Sequence, residues 1–187
     1  MTELVLASAS PRRREILALL GHTFRVEVSG FDENSLVHED PALRVRELAR
    51  GKALEVSGRT PGLVLGADTV VHLDRMILEK PVDRADAVRM LEMLSGRTHE
   101  VHTGVSLCRG TEEIAHEVVC TEVTFRPFGR VEIEAYLDTG DHADKAGSYG
   151  IQSPGARLVD RIDGCFYNVA GLPVSATLRL LAIGGLA

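Results

Sequence analysis

Leu4-Val5-Leu6-Ala7-Ser8-Ala9-Ser10-Pro11-Arg12-Arg13-Arg14 reads as a strand, a turn and the start of a helix, and this opening sets the α/β character of the chain. Ser10 is a favourable N-cap and Pro11 suits the first helical position, so the helix begins there. Arg12, Arg13 and Arg14 then fall in the first turn, where unpaired backbone N–H groups already carry about half a positive charge. Each arginine is disfavoured in that place by about 0.3 to 1 kcal/mol. An anion seated at the turn removes the conflict, so the segment is a phosphate site in physical terms although it lacks a glycine-rich signature. An exposed basic turn is the alternative reading of the same residues.

Working outward, Ile16, Leu17 and Leu20 give this helix one apolar face before Gly21 ends it, and His22 to Val28 reads as a second strand. Pro41 starts a helix to about Ser57, with Val45, Leu48, Ala49, Ala53 and Val56 on its inward face. The run Leu63-Val64-Leu65-Gly66-Ala67 lacks polar alternation, which predicts a central strand covered on both faces and ended by Asp68. Residues 75 to 78 add a short hairpin strand, and Asp83 with Asp86 caps a helix carrying Val88, Leu91 and Leu94. Residues 99 to 108 and 113 to 125 pair as strands across Arg109-Gly110-Thr111, and Val131 to Leu137 forms a short helix. Gly140 to Gly155 is too long to be filler in a compact domain and is a candidate binding loop. Leu158 to Ile162 and Cys165 to Val169 are expected to be short strands, and Pro173 begins a last helix through about Leu181. The order predicts a mixed, twisted α/β sheet flanked by helices. At 187 residues the chain is expected to be one domain, with two lobes around a cleft.

Composition removes several function classes. No apolar run reaches the about 18 residues of a membrane span, and the first strand passes straight into arginines, so neither a membrane anchor nor a signal peptide is expected. Cys108, Cys120 and Cys165 are widely spaced with no CxxC pair, which argues against a disulfide framework or a structural zinc site and for a reducing, cytoplasmic setting. A net charge of −6 and 4% aromatic residues argue against nucleic-acid binding, while leaving room for a local basic cleft that takes a small anion. No GxxxxGK[ST], GxSxG, HExxH or GxGxxG occurs, which removes the P-loop, serine-hydrolase, zincin and dinucleotide readings by motif.

A few residues stand where their chemistry needs explaining. Lys52 falls within the apolar stripe of its helix, so it either snorkels to water or aims its ammonium into a cleft. Asp68 follows five apolar residues, and ligands of open α/β sheets bind outside the carboxyl ends of strands; capping the next turn is its bland alternative. Asp32-Glu33-Asn34 and Glu79-Lys80-Pro81 are weak signals alone, because such residues mostly mark solvated turns. His99 and His102 are three apart on a strand, face opposite sides of the sheet, and are poor partners for one metal. Asp138, Asp141 and Asp144 miss the spacing of a calcium loop and read as loop surface.

From the first strand to the last helix the chain resembles the Maf family of nucleoside triphosphate pyrophosphatases. The likeness is carried by Leu6-Ala7-Ser8-Ala9-Ser10-Pro11-Arg12-Arg13, Gly66-Ala67-Asp68-Thr69-Val70-Val71, Leu94-Ser95-Gly96-Arg97-Thr98-His99 and Thr103-Gly104-Val105. Asp144-Lys145-Ala146-Gly147-Ser148-Tyr149-Gly150-Ile151-Gln152 and Asp163-Gly164-Cys165-Phe166-Tyr167-Asn168-Val169-Ala170-Gly171-Leu172-Pro173 complete it. Arg12, the Asp68-Thr69 pair and Tyr149-Gly150-Ile151-Gln152 look like the branch that acts on dTTP and UTP, and differ from the branch that acts on 7-methyl-GTP. Two departures stand out: Glu79-Lys80-Pro81 replaces the usual Gly-Lys-Pro, setting a carboxylate beside a phosphate-binding lysine, and Ser153-Pro154-Gly155 follows Gln152 where a glycine is usual.

The resemblance implies hydrolysis between the α- and β-phosphates, a divalent cation such as Mg²⁺ or Mn²⁺, a cytoplasmic homodimer, and a two-lobed architecture like that of inosine triphosphate pyrophosphatases. On that footing Arg12, Arg13, Lys52 and Lys80 form a cationic cradle with Ser8 and the first helix N-terminus. Asp68 orients or deprotonates the attacking water and, with Glu33, holds the metal. The Gln152 amide matches the donor and acceptor pair of uracil or thymine, with Thr69 and Arg12 helping to set the preference. Other readings are a pyrophosphatase for a modified pyrimidine triphosphate or 7-methyl-GTP, and a nucleotide-binding regulator of cell division, since the family is associated with septum inhibition.

Overall fold

The computed structural model describes residues 3–186. Strand β1 (Leu4–Ala7) runs parallel to β2 (Phe24–Val26) on one side and to β3 (Leu63–Leu73) on the other. Antiparallel strands β5 (Thr98–Arg109), β6 (Glu112–Phe125) and β7 (Val159–Asp163) extend the sheet beyond β3, and β4 (Met76–Leu78) folds back on β3 as a hairpin. The result is the mixed seven-stranded sheet that the alternation of elements predicts.

The sheet has a gap along one edge of β3. β1 pairs with β3 from Leu63 to Gly66, and β4 pairs with the same edge of β3 from Val71 to Leu73. Among the described residues, 67–70 of β3 therefore have no strand on that side, although β5 pairs with them on the other. Asp68 is thus not the end of its strand, as the apolar run suggested. It lies mid-strand, two residues past the point where the shorter β1 stops, and stands opposite Gly104 in the β5 ladder.

Helices α1 (Pro11–Leu19) and α6 (Val174–Ile183) cover one face of the sheet around Leu4, Leu6, Leu63, Leu65 and Val105. A second apolar core forms where α3 (Arg84–Leu94) and α4 (Arg130–Leu137) cover Val71, Val101, Val123 and Phe125. The opposite face is covered by α2 (Pro41–Ser57), whose Ala53 and Val56 meet Val5, Ala7 and Val64. Asp40 and Asp83 cap α2 and α3 by accepting bonds from backbone N–H groups of the first turn. The close approach of α2 rests on two glycines. A Cβ on Gly66 would stand 2.3 Å from the Ala49 carbonyl oxygen, and one on Gly104 would stand 2.4 Å from that of Val45; the obstacle is backbone in both cases and cannot swing aside.

One element differs from its sequence reading. Cys165 to Val169 is not a strand: Phe166–Val169 forms a single helical turn, α5. The apolar and aromatic composition suits either state, and tertiary polar contacts decide between them. Thr121 Oγ1 bonds both the Cys165 N–H and its carbonyl, and Thr103 donates to the Asn168 carbonyl, so the turn docks end-on against the sheet.

His99 lies in the second core with its ring edge-on to Phe125 and Tyr149, and its Nε2 is 2.8 Å from the Tyr149 hydroxyl. Its Nδ1 is buried with no partner among the described residues, so the doubly protonated ring would hold an unpaired N–H. Burial accordingly pulls the imidazole from its ordinary 6.5 down to about 4. The folded chain excludes a proton that the unfolded chain accepts, so this contribution is complete above pH 6.5 and is lost as pH falls towards 4. Urea unfolding is expected to show the ring costing roughly 3 kcal/mol across that interval, and His99→Gln should remove that part of the slope.

Candidate active site

A cavity of about 440 Å³ opens at the gap between β1 and β4. Every residue assigned from the sequence to the phosphate, metal or base site lines it: Ser8, Arg12 and Arg13 from the β1–α1 turn, Glu33 from a short 3-10 turn, Lys52 from α2, and Asp68 and Thr69 from β3. Lys80 follows β4, and Gln152 comes from the long loop that the sequence marks as a binding segment. Segments more than a hundred residues apart in sequence therefore meet over the unpaired edge of β3.

At the floor, Lys52 aims into the cleft and does not snorkel. Its Nζ lies 2.6 Å from Asp68 Oδ1 and 3.0 Å from Glu33 Oε1, with the lysine and Asp68 both buried. Burial by itself pushes the Glu33 carboxyl up, but Lys52, helped by Lys80 and Arg13, outweighs it and holds the group below its ordinary range. The two carboxylates converge on one point and each has a second oxygen, a donor set suited to a hard divalent ion.

The arginines of α1 resolve their conflict by leaning on acceptors. Arg12 Nη1 reaches Asp144 at 3.3 Å across the cleft. Arg13 is spread beneath it, with Nε donating to the Gly171 carbonyl at 2.8 Å, Nη1 to Ser8 Oγ at 3.3 Å and Nη2 to Thr69 Oγ1 at 3.1 Å. Thr69 passes the chain on to Thr103, which donates to the Asn168 carbonyl. Burial lowers the pKa of this guanidinium, with Asp68 opposing the shift. Arg13 is thus committed chiefly to fixing Ser8 and Thr69. The helix end is also more occupied than its sequence suggests. The Arg13 N–H is capped by Ser10 Oγ, that of Arg14 bonds the Ser10 carbonyl, and Pro11 has none, which leaves the Arg12 N–H for a ligand.

Several lining residues were not anticipated. Lys145 is buried, with Nζ 2.8 Å from Asp144 and 3.0 Å from Asp141. Asp141 also accepts from the Tyr136 hydroxyl and from Ser153 Oγ, so Asp141 and Asp144 are parts of the loop's internal framework and not plain surface. The spacing of these aspartates carries no such signal; the signal lies in the lysine between them, which an exposed loop has no reason to bury. Arg44 of α2 pairs with Glu79 and also donates to the Leu36 carbonyl. Glu79 is therefore turned to Arg44 beside the lysine it precedes.

A family model described as "Maf-like protein" matches residues 3–183. The chain belongs to the Maf family. It is 52% identical over 189 residues to a protein of Moorella thermoacetica named dTTP/UTP pyrophosphatase, covering 99% of this chain and 96% of that one. Proteins of the same name from Symbiobacterium thermophilum and Vibrio cholerae are each 50% identical, covering 97% of this chain and 93% and 97% of theirs. Among solved structures, a HAM1 protein from Coxiella burnetii aligns over 70% of this chain and 76% of its own at 20% identity and a TM-score of 0.47.

Because Lys52 is the main opposing influence on Glu33 in this Maf protein, Lys52→Gln should let burial dominate and move the Glu33 titration to higher pH. Carboxyl-detected NMR titration of both proteins checks the direction; an unmoved or downward shift contradicts the charge triangle.

Proposed function

We propose that this chain hydrolyses dTTP and UTP to the nucleoside monophosphate and pyrophosphate. The observation that carries the reading is the Lys52 bridge between Asp68 and Glu33 at the floor of a cavity lined by arginines and lysines, in a chain about half identical to proteins named for this activity. A triphosphate brings about four negative charges, and catalysis of its cleavage consists mainly of positioning and charge neutralisation. Arg12, Lys52, Lys80 and Lys145 supply cations around the cavity, and Ser8 and the Arg12 N–H supply neutral donors.

In the reaction a water oxygen bonds to the α-phosphorus, the bond from that phosphorus to the bridging oxygen breaks, and pyrophosphate leaves with the bond's electron pair. Asp68 Oδ1 is held by Lys52, so Oδ2 is the oxygen placed to orient the water and accept its proton. Glu33 and Asp68 are the residues that would hold Mg²⁺ or Mn²⁺, which when bound offsets charge on the phosphate oxygens. Arg13 keeps Thr69 and Ser8 in register beneath the phosphates. Gln152 stands on the exposed rim of the cavity, where its amide can pair with the N3–H and O4 of uracil or thymine and is indifferent to the C5 methyl. The reading includes the cytoplasmic homodimer that the family implies.

Asp68→Asn is expected to abolish turnover of UTP and dTTP while nucleotide affinity stays within about tenfold, or about 1.4 kcal/mol. Pyrophosphate release and equilibrium binding measured on the same preparation check this, and substantial residual turnover removes Asp68 as the base. Gln152→Ala should lower the ratio of UTP to GTP turnover by about 10-fold or more, as the loss of a paired base-edge contact requires; an unchanged ratio places base recognition elsewhere.

A further inference from the structure

The sheet face that carries Asp68 carries a second polar group further along. Side chains of β3 alternate, so Asp68, Val70 and His72 point the same way, opposite Gly104, His102 and Glu100 of β5. His102 in turn stands opposite Cys120 of β6. Glu100 Oε2 lies 3.0 Å from His72 Nδ1 and 3.0 Å from His102 Nε2, and the three donor atoms all fall within 4.8 Å of one another. Cys120 Sγ is 3.6 Å from the same His102 nitrogen. None of these four residues lines the cavity.

One carboxylate oxygen facing two imidazole nitrogens is satisfied either by two N–H donors or by a single cation that all three groups ligate. Donor atoms around a tetrahedral ion with bonds of about 2.0 to 2.1 Å stand about 3.3 Å apart, close to the separations from Glu100 to each ring. His102 is 8% exposed, and among the described residues its Nδ1 has no partner and its polar contacts are all made by Nε2 towards this cluster. Glu100 and His72 remain partly exposed, which leaves an entry path. Two imidazoles and a carboxylate with a thiol alongside suit a borderline ion, in contrast to the all-oxygen pair of Glu33 and Asp68.

We propose that His72, Glu100 and His102 form a binding site for a transition-metal ion of the Zn²⁺ class, separate from the nucleotide cavity, with the fourth position open to water beside Cys120. Bound there, the ion clips β3 to β5 beyond the end of the gap. Equilibrium dialysis of the full chain against Zn²⁺, with excess Mg²⁺ present to occupy the Glu33 and Asp68 site, is expected to give one Zn²⁺ per chain, lost by about 100-fold or more in affinity in Glu100→Gln and in His72→Gln and retained in Asp68→Asn. Binding that survives both substitutions, or that disappears with Asp68→Asn, overturns the site. Co²⁺ added to the unaltered chain gives a second readout that needs no variant. Intense visible bands of a four-coordinate ion support the proposal, and the weak bands of a six-coordinate oxygen site, or of an adventitious ion only, refute it.

Discussion

Helix α2 has to lie almost in contact with the sheet backbone, and the polar centre depends on that closeness. Gly66 and Gly104 are neighbours across the surface that α2 covers, and each takes a helix carbonyl where any other residue would place a Cβ. Two residues beyond Gly66 on the same face is Asp68, and one turn of helix beyond Leu48 is Lys52. A backbone contact between apolar elements thereby sets the 2.6 Å ion pair at the floor of the cleft. Burying an ammonium costs several kcal/mol unless it is well paired. Here it meets two carboxylates, and the second, Glu33, arrives from a polar turn with no role in the core. Withdrawing the helix by an ångström or so would cost both the apolar contact and the ion pair, so packing and electrostatics favour the same geometry.

The gap in the sheet does for Asp68 and Thr69 what a strand end does in simpler α/β folds. β1 stops at Ala7 and β4 joins only at Val71, so the edge of β3 between them is exposed to the cavity while its other edge stays locked to β5. Rigidity and accessibility are thus combined in one short segment. Arg13 reinforces this by linking the α1 turn to Thr69, and Thr69 to Thr103 and the α5 turn. The polar relay beneath the pocket extends through Asn168, whose side chain donates to the Val101 carbonyl and to Thr121.

Much of this was legible in the chain. The strand–turn–helix opening, the α2 span from Pro41 to Ser57 and the β5–β6 hairpin follow from caps, periodicity and turn residues, and the helix and the hairpin lie where those signals put them. The anomaly of Lys52 in an apolar stripe pointed to the cleft, although periodicity alone left snorkelling open. What escaped has a common cause: it depends on register and on distant partners. That Asp68 lies inside a strand follows from the unequal lengths of β1 and β3, which no local pattern states. The α5 turn is decided by Thr103 and Thr121, more than forty residues away in sequence. His102 and Glu100 share a face by simple alternation, but His72 joins them only through the β3–β5 register. The framework of Asp141, Asp144 and Lys145 is local in sequence, yet its meaning depends on burial supplied by Tyr136 and Ser153.

Four cations of the cleft are already matched by protein carboxylates: Arg12 by Asp144, Lys52 by Asp68 and Glu33, Arg44 by Glu79, and Lys145 by Asp141 and Asp144. Such pairing keeps like charges from repelling in the free protein and holds long side chains near the geometry a ligand requires, which reduces the ordering cost of binding. It also sets a threshold for what can bind. An anion with one charge gains too little to displace a resident carboxylate, whereas a polyphosphate engages several cations at once and exchanges one set of charge-assisted bonds for another. The pairs on the rim, Arg12–Asp144 and Arg44–Glu79, are partly exposed and open at small cost, because surface ion pairs contribute only about 0 to 1 kcal/mol. The buried Lys52–Asp68 pair is far costlier to break. On the proposed function, a polyphosphate substrate would rearrange the rim and leave the floor intact, with the Asp68 carboxylate kept in place by Lys52.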